Sequence, residues 1–220
     1  MSSKNKPPYE RLDLQIDIAR LREHLQNVVM KNPPFMQSQS FGGWSVWSAD
    51  GELYDGWSMG HTCYKTVNGK TVFDNEKAIA LGLRRRDQYR QPTEICTGYL
   101  DEVMNRLFEM QFNPRRVRLS LLRAGGSSSW HRDGVEPNYA VRLHIPIVTD
   151  PLCTFECEDG VFHFPADGAG YVVRVNRMHK ICNRSKVDRY HLMMDIFDFA
   201  GVTREHRFDP ETQVMEPFDL

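Results

Sequence analysis

Two residues with metal-binding side chains lie close together in the middle of the sequence. His131 and Asp133 are separated by one residue, and in an extended segment their side chains point the same way. A second histidine, His179, follows a β-like segment over residues 170–175 and would enter the same site from a later strand. Two histidines and one carboxylate form the facial triad that leaves positions open on Fe(II) for a cosubstrate and O₂. We therefore predict that His131, Asp133 and His179 ligate Fe(II) and form the catalytic centre.

A guanidinium group follows the third of these residues. Arg189 lies ten residues after His179, at the start of the strongly β-like segment 189–197. A guanidinium binds a carboxylate through two parallel hydrogen bonds. We therefore expect Arg189 to bind the far carboxylate of a dicarboxylic cosubstrate.

The elements that must position these side chains change in type along the chain. Helical spacing of apolar residues predicts helices before residue 115, over 18–29, 76–83 and 98–110. Short β-like runs dominate after it: 117–122, 139–148, 153–157, 160–164, 170–175 and 189–197. This order predicts a mainly β (α+β) fold, a jelly roll buttressed by N-terminal helices. We expect one domain, 1–220, divided into a helical and loop-rich front half (1–114), a jelly-roll core with the metal site (115–200) and a C-terminal tail (201–220).

The segment from Arg116 to Phe197 resembles the aspartyl/asparaginyl β-hydroxylase family of 2-oxoglutarate-dependent dioxygenases, whose core is a double-stranded β-helix. That family has a serine on an early strand, a metal histidine, an Arg-x-His strand, a second metal histidine and an arginine, in this order. The matching residues of this chain are Ser120, His131, Arg142, His144, His179 and Arg189. The resemblance implies an Fe(II)- and 2-oxoglutarate-dependent hydroxylase in which Ser120, Arg142, His144 and Arg189 hold the cosubstrate.

One position departs from part of that family. Some members have no acidic residue two positions after the first histidine, whereas this chain has Asp133. The complete triad makes the chain more similar to hydroxylases of small molecules than to enzymes that act on folded domains. We expect the substrate to be an amino acid or an amino-acid-like molecule, either free, peptidyl or carrier-tethered.

Simpler interpretations remain open at this point. Asp133 followed by Gly134 could form an Asx turn, and Arg189 could pair with Asp188 or Asp195 at the surface. For the whole protein, the alternatives are a cupin-like metal enzyme that does not use 2-oxoglutarate and a non-catalytic jelly-roll module that binds a ligand. The first alternative leaves Arg142 and Arg189 without a carboxylate to bind.

The composition limits the classes of partner. The 28 Lys and Arg residues nearly balance the 29 Asp and Glu residues, and the net charge of −1 favours neither nucleic acid nor an anionic membrane as a partner. No run of apolar residues is long enough to predict a membrane span. The five cysteines are scattered, which is typical of reduced thiols, so we expect a cytoplasmic protein. The oligomeric state is left open.

Overall fold

The computed structural model describes residues 8–55, 64–68, 70–80, 88–133, 141–197, 206–209 and 214–217. Its helices are α1 (Ile18–Asn27), α2 (Asn75–Ala80) and α3 (Gly98–Glu109), and a 3₁₀ turn spans Val29–Lys31. Its strands are β1 (Tyr9–Leu12), β2 (Phe35–Met36), β3 (Phe41–Ser45), β4 (Trp47–Ser48), β5 (Tyr64–Val67), β6 (Lys70–Phe73), β7 (Gln91–Pro92), β8 (Asn113–Leu122), β9 (Val141–Val148), β10 (Cys153–Cys157), β11 (Gly160–Phe162), β12 (Gly170–Arg174), β13 (His179–Asn183), β14 (Arg189–Phe197), β15 (His206–Asp209) and β16 (Val214–Pro217). In these parts of the chain no helix is long and apolar enough to cross a membrane.

Two antiparallel sheets form the body of the protein. The major sheet has the strand order β1-β12-β9-β14-β8-β3-β2, and the minor sheet has the order β11-β10-β13. Residues of both sheets line one pocket, with Arg142 and His144 from the major sheet and Phe155 and Ile181 from the minor sheet. This arrangement is a jelly roll and confirms the predicted mainly β fold.

The helices α1 and α3 cover the outer face of the major sheet. Their apolar stripes share one buried cluster with outward-facing side chains of the sheet. The cluster includes Leu21, Leu25, Leu100, Met104, Leu107, Leu119, Leu143 and Leu192. The side chain of Asp17 accepts a hydrogen bond from the Arg20 amide at 3.1 Å and so caps the start of α1. The predicted buttressing by N-terminal helices is confirmed. The helices pack there because this face of the sheet is apolar and must be buried.

Strand β14 separates core side chains from pocket side chains by its period of two. Its even-numbered residues belong to the outer core cluster: Tyr190, Leu192, Met194 and Ile196. Its odd-numbered residues face the other way, and among them Arg189 and Met193 line the pocket. One face of β14 therefore belongs to the hydrophobic core and the other face lines the pocket.

A β-bulge lies in β8 beside this strand. Between Met193 and Asp195, β14 advances two residues, while the paired strand changes register from Arg118 to Arg115. The bulged segment of β8 contains Arg116, whose φ of 47° is unusual for a residue with a side chain. The bulge directs Arg116 to Asp195, where its Nε donates to a carboxylate oxygen at 2.9 Å.

The front part of the chain also supplies strands to the major sheet. Strand β1 pairs with β12, and β3 pairs with β8. In the tail, β15 and β16 pair with each other, and β16 also pairs with β6. The division of the chain at residue 115 stays a prediction.

The two neighbouring methionines of β14 provide a test of this arrangement. Met194 is fully buried in the outer core, whereas Met193 lines the pocket. We expect Met194→Ala to lower the free energy of unfolding by about 2–5 kcal/mol, the usual cost of a core cavity. Met193→Ala should cost less than half as much, because that side chain already borders open space. Urea denaturation measures both, and equal losses would contradict the assignment of the two faces.

Candidate active site

Backbone pairing beside the minor sheet brings the three proposed metal ligands together. The amide of His131 donates to the carbonyl of His179 at 2.9 Å, and the amide of His179 donates back to the carbonyl of His131 at 2.9 Å. The amide of Asp133 donates to the carbonyl oxygen of Val175 at 2.8 Å. The ligand atoms of the three side chains consequently lie within 4.8 Å of one another.

Both histidines present the same ring nitrogen to Asp133. Nδ1 of His131 lies 2.8 Å from the carbonyl oxygen of Ser129, and Nδ1 of His179 lies 2.8 Å from that of Arg177. Because a carbonyl oxygen only accepts, each Nδ1 carries a proton, and in the neutral form of the ring the lone pair is then on Nε2. Each Nε2 lies 3.9 Å from a carboxylate oxygen of Asp133. Histidines that bind metals usually have their second nitrogen held in this way.

The ring of His179 is enclosed as well as oriented. It stacks on Phe155 with 5.1 Å between ring centroids and 22° between ring planes. Burial lowers the pKa of His179 to about 4. The imidazole is therefore neutral at pH 7, which is the form that binds a metal.

The residues present fit Fe(II). Two imidazole nitrogens and one carboxylate are the donor set of the facial triad. The residues that carry them, His131, Asp133 and His179, all line a pocket of about 460 Å³. A pocket of this size lies within the range of small-molecule sites, so it has space for a cosubstrate and a substrate beside the metal.

Arg189 is a buried cation without a carboxylate partner among the described residues. The side chain lines the pocket, and the residue is 4% exposed. Its Nη2 donates to Ser120 Oγ at 3.3 Å, while its Nε has no hydrogen-bond partner in the described part of the chain. Burial lowers the pKa of Arg189 to about 10, but the group remains charged at pH 7. A buried charge is costly unless it is paired, so the geometry favours an anionic ligand at this position.

The surface ion pairs considered for Arg189 do not form. Asp188 instead accepts from Arg123 Nη1 at 2.8 Å and from the amide of Ala124 at 2.8 Å. Asp195 is fully buried and accepts from Arg116 and Arg142. Both alternative partners of Arg189 are therefore engaged elsewhere.

Arg142 differs from Arg189 because the protein itself supplies its carboxylates. Its Nη1 donates to Asp133 Oδ2 at 2.8 Å, and its Nε donates to Asp195 Oδ1 at 3.2 Å. It lines the pocket beside His144. These two carboxylates neutralise the charge of Arg142, so this residue does not need a bound cosubstrate as its anionic partner.

His144 is held by a second buried histidine. Its Nδ1 lies 3.4 Å from Nδ1 of His191, so one ring must donate and the other must accept. His144 lines the pocket, whereas the buried Nε2 of His191 has no hydrogen-bond partner among the residues that the structure describes. A proton on Nδ1 of His191 avoids a buried unsatisfied N–H and leaves Nε2–H of His144 as a donor. That donor suits a carboxylate ligand in the pocket.

The sequence interpretation missed three residues that support the site. Asp195, His191 and Arg116 contact predicted site residues or their partners, but the sequence suggested Asp195 only as a surface partner of Arg189 and gave the other two no functional role. The period of two in β14 was a usable signal for Asp195 and His191, since both share a face with Arg189. Nothing in the pattern indicated the bulge that directs Arg116.

The buried histidine pair predicts a pH dependence of stability. Burial, together with the neighbouring Arg189, holds the pKa of His191 and of His144 well below the usual range. Below about pH 6.5 the unfolded chain takes up protons that the folded chain does not bind, so the free energy of unfolding falls as the pH falls. We expect His191→Asn to reduce this slope by up to about 1.4 kcal/mol per pH unit. Denaturation between pH 5 and 7 measures the slope of the free energy of unfolding against pH. An unchanged slope in His191→Asn would refute the lowered pKa of His191.

Comparison with known proteins places the chain in a family. Residues 76–198 match the family described as aspartyl/asparaginyl beta-hydroxylase. No curated protein matches the sequence.

Several solved structures are similar at low sequence identity. A 2OG-Fe(II) oxygenase family oxidoreductase from Burkholderia pseudomallei is 13% identical, with 90% of this chain and 87% of that chain covered and a TM-score of 0.48. A prolyl-4-hydroxylase from Pseudomonas putida is 12% identical, with 88% and 94% covered and a TM-score of 0.44. AviO1 from Streptomyces viridochromogenes is 13% identical, with 88% and 90% covered and a TM-score of 0.46.

The family match extends over more than half of the chain and includes the segment that carries the proposed site. It favours the oxygenase over a metal enzyme without 2-oxoglutarate and over a ligand-binding module. The protein belongs to the aspartyl/asparaginyl β-hydroxylase family and is a hydroxylase that uses Fe(II), 2-oxoglutarate and O₂.

Proposed function

We propose that this enzyme hydroxylates an unactivated C–H bond of an amino acid or an amino-acid-like molecule. The observation that carries this proposal is the buried guanidinium of Arg189, which lines the same pocket as His131, Asp133 and His179 and has no carboxylate partner among the described residues. The proposed metal triad and the guanidinium in one small pocket support the binding of a small anionic ligand beside the metal.

Each residue of the site has a proposed role. His131, Asp133 and His179 hold Fe(II) through two Nε2 atoms and one carboxylate oxygen. Arg189 binds the far carboxylate of 2-oxoglutarate, and Ser120 Oγ orients the guanidinium through the 3.3 Å contact. His144 donates from Nε2 to a carboxylate in the pocket, and Arg142 holds Asp133 through the 2.8 Å contact.

The chemistry supplied by bound Fe(II), 2-oxoglutarate and O₂ is oxidation of a substrate C–H bond, coupled to decarboxylation of 2-oxoglutarate to succinate. The protein contributes orientation and the exclusion of water. The apolar part of the pocket lining consists of Phe41, Phe155, Val175, Ile181 and Met193. A dry wall of this kind keeps the oxidising equivalent from competing reactions.

The remaining lining residues support a substrate of the amino-acid class. The side-chain oxygens of Gln37 and Ser38 line the pocket and offer acceptors for an ammonium group. Free and carrier-tethered amino acids carry this ammonium group, whereas an internal peptidyl residue does not. The proposal covers these three forms, which a product assay distinguishes.

Succinate formation tests the proposal. Protein loaded with Fe(II) under anaerobic conditions is exposed to O₂ with 2-oxoglutarate and a mixed pool of amino acids. We expect His131→Ala to abolish succinate formation, because the facial donor set is broken. Arg189→Ala should raise the KM for 2-oxoglutarate by about 100-fold or more, the effect of removing a charge-assisted pair in a buried site.

Arg123→Ala is a matched control for the arginine variant, because it removes an exposed guanidinium paired with Asp188 beside the same strand. It should leave the KM within about twofold of the wild type. Mass spectrometry of the amino-acid pool then identifies the molecule that gains one oxygen atom. The proposed substrate class would be refuted if the protein binds iron but no free, peptidyl or carrier-tethered amino acid stimulates succinate formation.

A further inference from the structure

Four charged side chains of alternating sign run from the interior to the proposed metal ligands. Arg116 pairs with Asp195, Asp195 pairs with Arg142, and Arg142 pairs with Asp133. The joining distances are 2.9 Å, 3.2 Å and 2.8 Å, respectively. Only the last of the four residues is proposed to touch the metal.

The strand register builds this series. Asp195 lies opposite Arg142 on β9, and the bulge in β8 places Arg116 on its other side. Asp195 is 0% exposed, so its carboxylate has exchanged water for two guanidinium groups. A buried carboxylate held by two cations is a rigid anchor, because moving either partner would leave a buried charge unpaired.

The shape of the guanidinium transmits this anchoring. Asp195 accepts from Nε of Arg142, while Asp133 accepts from Nη1 of the same group. The group is planar and its N–H directions are fixed relative to one another, so holding Nε also fixes the direction of Nη1. The position of Asp195 therefore determines where Arg142 holds the Asp133 carboxylate.

We propose that Asp195 is a positioning residue for the metal site, which acts through Arg142 to hold Asp133 in the orientation that metal binding requires. Arg142 then serves the metal site, and the far carboxylate of 2-oxoglutarate belongs to Arg189 and Ser120. This inference rests on the proposed function in one respect, the assignment of Asp133 as a metal ligand.

Two buried arginines of the pocket have opposite surroundings. Arg142 has carboxylates on its Nε and its Nη1, whereas Arg189 has the hydroxyl of Ser120 and no carboxylate among the described residues. A residue that is already neutralised adds little to binding another anion, while an unneutralised cation gains most from one. Replacing each arginine with lysine should therefore affect different ligands.

The test measures Fe(II) affinity and 2-oxoglutarate affinity separately. Wild type, Asp195→Asn, Arg142→Lys and Arg189→Lys are titrated anaerobically with Fe(II), and then with 2-oxoglutarate at saturating Fe(II). Asp195→Asn and Arg142→Lys should weaken Fe(II) binding by about 10–100-fold, the usual effect of losing a group that supports a ligand. Both should change the affinity for 2-oxoglutarate by less than about threefold. Arg189→Lys should weaken 2-oxoglutarate binding and leave Fe(II) affinity nearly unchanged.

The Arg142→Lys variant keeps the positive charge, but lysine cannot bridge two carboxylates. Because residue 142 lines the pocket, this variant tests the inference even if Asp195→Asn does not fold. A double variant adds a second readout. In an Asp133→Ala background, Asp195→Asn should cause no further loss of Fe(II) affinity, because the two residues act through one contact. If Asp195 had a purely structural role, its substitution would lower the melting temperature without weakening Fe(II) binding selectively over 2-oxoglutarate binding.

The outcomes separate this inference from the proposed function. Unchanged Fe(II) affinity in Arg142→Lys, or weaker 2-oxoglutarate binding in that variant, would overturn the role of Asp195 and return Arg142 to the cosubstrate. Failure of the wild type to bind Fe(II) would instead contradict the proposed metal site, and this inference with it.

Discussion

The reciprocal backbone hydrogen bonds between His131 and His179 are the constraint on which the site depends. The two residues are far apart in sequence, and the 2.9 Å contacts in both directions bring their side chains to one place beside the minor sheet. The carbonyls of Ser129 and Arg177 then orient the two rings, so the positions of both Nε2 atoms follow from the local backbone. Asp133 joins them because its own amide continues the pairing at Val175. A metal site of this kind is preorganised by strand geometry.

The distribution of charge around this centre explains why residues of one type have different proposed roles. Arg116 and Arg142 share the buried carboxylate of Asp195. Arg189 has no such carboxylate among the described residues and contacts a serine hydroxyl instead. Burial makes this difference consequential, because an interior charge that lacks a partner is expensive. Within the part of the chain that the structure describes, Arg189 therefore remains to be neutralised by a ligand, and the family cosubstrate is a dicarboxylate of suitable chemistry.

Much of the fold could be predicted from the sequence because period-two patterns persist where one face of a strand is apolar. The β-like runs around Val117–Leu122, Val141–Val148 and Arg189–Phe197 identified three strands of the major sheet, and helical spacing of apolar residues identified the helices near Leu21 and Met104. Strand β13 was not identified, because the short segment from His179 to Asn183 has little apolar alternation. The roles of Asp195 and Arg116 depend on cross-strand register and on a bulge, and both are non-local properties. The order of His131, Asp133, His179 and Arg189 predicted a site, but the spacing could not show that Arg142 is already paired.

The most direct test of the account is a calorimetric titration of 2-oxoglutarate into metal-free protein and into protein loaded anaerobically with Fe(II). The account predicts one 2-oxoglutarate per chain when Fe(II) is bound, much weaker binding without the metal, and loss of binding in Arg189→Ala. Protein that binds Fe(II) at His131, Asp133 and His179 but does not bind 2-oxoglutarate would contradict the account.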